Sequence, residues 1–226
     1  MLVYVAITIV AALVVVFIIR AIQSQGAASV ALKQSTAALG FQPCPDEKGR
    51  LEEIVAKLEG NPQFRYQVEK PQRRGNDSIY FYVKRRDAHD EQHSIAEEEF
   101  LFPLKRRTAA GLMLVVKPTA IGSGLASKML GSLATGDYDA QPAGLKRIEI
   151  PSDLAGTNII GAMGEPGHGL HDLVDPRVLT AVQGVGDAGG LIVMFRDEWC
   201  SIASTSRQLP FKPEAVLACV EAMRRG

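Results

Sequence analysis

Neither sign of charge prevails in this chain: 25 Lys and Arg balance 25 Asp and Glu over 226 residues. That balance removes the global field by which nucleic-acid binders draw their ligand, so no nucleic-acid partner is expected. Cysteine is scarce too. Cys44, Cys200 and Cys219 are odd in number and show no CxxC spacing, which argues against a disulfide framework and for reduced thiols. Missing as well are a P-loop, an HExxH pattern and any local nucleophile–base set. No cofactor and no catalytic residue are assigned from the sequence.

What the first nineteen residues lack is charge, proline and glycine. MLVYVAITIVAALVVVFII carries hydroxyls only at Tyr4 and Thr8 and is closed by Arg20. As a helix it spans roughly 28 Å, the thickness of a bilayer's hydrocarbon core. The run exceeds the roughly 7–15 apolar residues of a secretory signal and has no basic lead, so the reading is an anchor in the lipid bilayer through residues 1–19. Arg20 and Lys33 follow the span, and this bias places the body after it in the cytoplasm. The expected division is an anchor over 1–20, a juxtamembrane helix over 21–41 capped at Gly40, and a folded body over 42–226 with a break near 136–144.

Within the body, Leu51, Ile54, Val55 and Leu58 mark one helical stripe stopped by Gly60. Phe64, Tyr66 and Val68, then Ile79, Phe81 and Val83, alternate as strands, so a hairpin with one dry and one wet face is expected. The polar stretch 86–99 reads as a loop. Phe100, Phe102 and Leu104 resume alternation, with Pro103 marking an edge or bulge, and 111–116 reads as a separate buried strand. Further strands are expected at Ile148 and Ile150 and over 158–163. Asp175 and Pro176 announce a helix start with Val178, Leu179 and Val182 inward. A last hairpin turns at Arg196, Asp197 and Glu198, and Pro213 starts a closing helix. The fold class is α+β, mainly antiparallel strands with packed helices.

Two segments hold candidates for chemistry. Ile121, Leu125, Met129 and Leu133 recur every four residues through 121–134, among Gly122, Gly124 and Gly131. The segment fits a helix on the sheet or on the membrane surface, and the Gly122-Ser123-Gly124 run is too imperfect for a dinucleotide loop. His168, His171 and Asp172 are the metal candidates, although their setting among Gly and Pro favours solvated loop residues. Arg73 and Arg74, Lys84 to Arg86, and Lys105 to Arg107 form three short basic groups. Asp77, Asp87 and Glu97 to Glu99 are interleaved with them, which points to neutralised strand ends rather than a basic binding face.

The segments NIIGAMGEP, DLVDPRVLTAVQ, GLIVMFRDEWCSIAS and LPFKPEAV, together with the N-terminal apolar run, resemble uncharacterised single-pass membrane-anchored proteins of bacteria. The likeness implies an architecture and no activity. Function is therefore expected to be that of a membrane-anchored interaction or scaffold module with a protein partner. The alternative is an anchored enzyme or small-ligand or metal sensor, with its pocket near Ile121 and Leu133 or near His168 and Asp172.

Overall fold

The computed structural model describes residues 34–88, 94–118, 144–154, 156–185, 189–204 and 212–225. The chain divides into Met1–Leu39 and Gly40–Gly226. In the first unit, the described residues are helical over 34–38. The apolar run 1–19 and the segment 121–134 lie outside the described residues, and no described helix is long and apolar enough to cross a membrane.

The second unit is α+β: among the described residues, one antiparallel sheet of seven strands with helices packed on it. Its elements are β1 (Phe41–Pro43), α1 (Lys48–Glu59), β2 (Phe64–Arg74), β3 (Tyr80–Ala88), β4 (Ser94–Val116), β5 (Lys146–Arg147) and β6 (Ile159–Gly164). Then follow α2 (Leu170–Leu173), α3 (Pro176–Gly184), β7 (Leu191–Ser204) and α4 (Pro213–Arg225). Strand β4 is the spine. One edge of it carries β7, paired from Glu99 to Val116. Its other edge is shared: β3 pairs as far as Leu101 and β6 from Leu112 onward.

Helix α1 forms where the stripe predicts it. Leu51, Val55 and Leu58 are buried, and Gly60 takes the left-handed cap at φ +64°, its N–H donating to the Ala56 carbonyl at 2.9 Å. Asp175 caps α3 through Oδ1, which accepts from the Arg177 N–H at 2.9 Å, and Pro176 fills the first position.

Several expectations fail in the sheet. The hairpin has no wet face over its central part: Ile79, Tyr80, Phe81 and Tyr82 are all buried. Tyr80 and Tyr82 pack with α1 residues in one core cluster, while Phe81 meets Phe41 and Phe100 edge-on at 6.4 and 5.1 Å. The 86–99 stretch is strand except at the undescribed 89–93. Phe100–Leu104 and 111–116 are not two strands but parts of the 23-residue β4, whose register against β7 shifts between Pro103 and Thr108, so the bulge is real. The last hairpin is absent as well. Arg196, Asp197 and Glu198 stay inside the 14-residue β7, and a second register shift lets Asp197 sit at φ +54°. Strand β5 falls at Lys146–Arg147 rather than at Ile148 and Ile150. The misreading of 86–99 has a clear cause. Long partner strands impose extended backbone on polar residues whose local pattern resembles a turn.

Candidate functional site

The metal candidates do not converge. Asp172 Oδ2 accepts from the Gly169 N–H at 2.9 Å and so closes the start of the short α2. His171 Nε2 lies 3.2 Å from Asp153, and His168 is exposed. No cluster of three or more His, Cys, Asp or Glu side chains forms among the described residues. The cysteines do not offer a nucleophile. Burial raises all three thiols, Cys219 to about 12, and Glu47 adds to the rise at Cys44. All three are free.

The basic groups turn out to be largely balanced. Arg73 pairs with Glu47 at 3.1 Å, Arg74 with Glu221 at 2.6 Å and Arg85 with Glu69 at 2.9 Å. Glu47 gathers more than charge. It accepts from the Tyr80 hydroxyl at 2.7 Å, and this bond, more than Arg73 and Arg50 beside it, holds its carboxyl below the ordinary range.

Lys84 is the exceptional one, and sequence reasoning missed it. Register sets it opposite Val68 of β2 and Glu97 of β4, on the face that α1 covers. Its side chain is 3% exposed, and its ammonium contacts Glu59, with Glu97 at 3.2 Å and Glu99 at 3.3 Å. Glu59 ends α1, where the helix dipole disfavours an acid, so the ammonium compensates at that spot. Burial works against the charge on Lys84, but the three carboxylates outweigh it and raise the ammonium well above its usual value. Burial raises Glu99 as well, against the pull of Lys84. Buried Arg86 lies on the same face, opposite Tyr66. The hydroxyls of Tyr82 and Ser201 end beside Glu99, yet neither they nor its oxygens meet a well-aligned hydrogen-bond partner among the described residues. Such a cluster resembles a catalytic centre in its shifted groups. Its burial argues otherwise: the Lys84 and Glu99 side chains are 3% and 1% exposed, so no substrate reaches them.

The described residues also form surface depressions, two of which carry charged walls. One, of about 320 Å³, lies between α1 and the 196–199 stretch of β7, with Ile54, Leu58 and Trp199 against Arg196, Asp197 and Glu198. Arg196 anchors this wall by donating to the Lys57 carbonyl at 3.1 Å, and any side chain at Gly60 would collide with its guanidinium. The other, of about 520 Å³, lies where the end of α4 and the β2–β3 turn meet β4.

Compared with known proteins, the chain matches no family model, no curated protein and no solved structure.

Proposed function

We propose that the protein is a membrane-anchored interaction module whose folded body works on the cytoplasmic face. The observation that carries this reading is the uncharged run over 1–19, long enough for a bilayer and closed by Arg20. The chemistry of the body favours interaction over catalysis. Its most perturbed groups, Lys84 and Glu99, are sealed from solvent, its cysteines are held as thiols, and Asp172 serves its own backbone. A protein that binds through its surface needs a stiff frame and open faces, and a seven-stranded sheet packed by helices supplies the frame.

The test is fractionation of the full chain from a bacterial host, followed by a carbonate wash. Retention in the membrane is expected, with release when residues 1–20 are deleted, because the attachment is apolar and insensitive to salt. A fluorescent reporter that matures only in the cytoplasm and a phosphatase active only in the periplasm, each fused after Gly226, give the orientation. Fluorescence without phosphatase activity is expected. The opposite pattern overturns the cytoplasmic placement, and a soluble full-length chain overturns the anchor.

A further inference from the structure

Strand β4 leaves part of one edge without a neighbour among the described residues. Pairing with β3 stops at Leu101 and pairing with β6 starts at Leu112, while β7 occupies the opposite edge beyond both limits. Unpaired strand edge is a template for another chain, because its N–H and C=O groups lack strand partners. The 520 Å³ groove opens where this edge begins, at Pro103, Leu104 and Lys105.

The floor and rim of the groove differ in kind. Buried Ile79 and half-buried Pro103 and Leu104 make an apolar floor. Arg74, Lys105, Arg224 and Arg225 stand against only Asp77 and Glu221. Arg74 and Glu221 pair at 2.6 Å, and Arg224 lies 3.9 Å from Asp77, so the lining keeps two positive charges in excess. Lys105 and Arg225 are exposed, and the Arg225 Nε–H donates to the Glu221 carbonyl, which fixes its guanidinium at the rim.

We infer that this groove takes an extended, acidic segment of a partner protein, added as a strand to the open β4 edge. The inference rests on the interaction-module reading and names where the partner docks. Strand addition supplies the backbone bonds; Leu104 on one face of β4 meets apolar side chains of the guest, Lys105 on the other face meets the acidic side chains that alternate with them, and Arg225 adds a cation at the rim. Pro103 has no N–H and offers the ladder its carbonyl alone. A phosphate headgroup would use the same cations but has no use for the open backbone or the apolar floor, which favours the peptide.

The experiment uses the full chain in detergent and a short dye-labelled peptide of alternating valine and glutamate, read by fluorescence anisotropy. Two control peptides carry lysine in place of glutamate, or N-methyl groups on alternate amides. The acidic peptide is expected to bind, more weakly at high salt, and both controls to fail. Lys105→Glu with Arg225→Glu should weaken binding by about tenfold or more, since two charge-assisted contacts become repulsive. Both residues are exposed, and Lys105→Gln with Arg225→Gln serves as the milder pair if the reversal lowers the melting temperature. Equal binding of acidic and basic peptides, indifference to N-methylation, or no effect of either pair overturns the assignment. Displacement by glycerol phosphate together with indifference to N-methylation gives the groove to lipid headgroups instead. Retention in the membrane without peptide binding sinks only this inference, whereas binding by a chain that is not retained leaves the groove standing and removes the anchor.

Discussion

The two faces of β3 and β4 are made from alternate residues of the same strands, yet they are held in opposite ways. Towards α4, Phe81 and Phe100 close on Phe41, with ring centroids 5.1–6.4 Å apart and no charge to satisfy. Towards α1, Lys84, Glu97 and Glu99 share the space with Tyr66 and Tyr82. An aromatic face is stabilised by area and shape, and its strength does not depend on pH. The charged face is held by mutual compensation: each ion is costly to bury and tolerable only while its partners stay. The first face is robust to conditions and sensitive to volume, and the second is the reverse.

Breaking each face in turn gives the largest effects. Lys84→Met leaves Glu59, Glu97 and Glu99 without their buried ammonium and should cost about 3–5 kcal/mol at neutral pH. Phe100→Ala opens a cavity of comparable cost, about 3–5 kcal/mol. Urea unfolding separates them by pH. The Lys84→Met loss should shrink towards about pH 4.5 as the stranded carboxylates protonate, and the Phe100→Ala loss should stay constant. Alkaline pH gives the converse. The Lys84 pKa is raised on folding, so its contribution is complete below the unfolded value of 10.5 and is lost as pH climbs through the folded one. That alkaline decline should be present in the wild type and absent from Lys84→Met.

Glu99→Gln sharpens the comparison with a smaller change, about 1 kcal/mol at neutral pH, because burial works against the ionised carboxyl there and the amide keeps its shape. A raised carboxyl pKa contributes stability below the unfolded value of 4.5 and loses it as pH rises through the folded value. The variant should therefore gain on the wild type as pH increases, seen in melting temperatures across the acid-to-neutral range. A loss as large as that of Lys84→Met would show Glu99 to be an ionised counter-ion.

Glu47→Gln is the mildest probe, since its carboxyl sits at the edge of the sheet. Losing the charge that holds the Tyr80 hydroxyl and Arg73 should cost about 1 kcal/mol at neutral pH. Its depressed pKa contributes stability above the unfolded value of 4.5, lost as pH falls through the folded value, so variant and wild type should converge in acid. A gap that persists there would make the effect one of packing.

Local pattern was enough for the elements whose signals sit within a few residues. The Leu51 to Leu58 stripe ending at Gly60, the Asp175-Pro176 cap and the strand near Ile159 all stand where spacing predicts them. It failed at Glu97 and Glu99, read as loop because acids rarely line a core, and at Asp197, read as a turn because turns favour such residues. The partners that reverse those readings are remote in sequence. Glu59 reaches Lys84 from the end of α1, and β4 pairs Asp197 through Thr108, which keeps it inside β7 although its φ is +54°. For the site candidates the fold adds neighbours. His168, His171 and Asp172 were visible as residue types, but only the fold shows Asp172 bonded to Gly169 and His171 beside Asp153.

Composition and periodicity by themselves determined the α+β class, the inward faces of the helices and the apolar length of residues 1–19, because each depends on transfer from water and on fixed repeats along the chain. Only tertiary structure decided which charges are buried and, among the described residues, where the edge of β4 has no strand beside it. Those properties belong to distances between residues far apart in sequence: Lys84 becomes a core residue only when α1, β2 and β4 close around it and return the solvation that water had given.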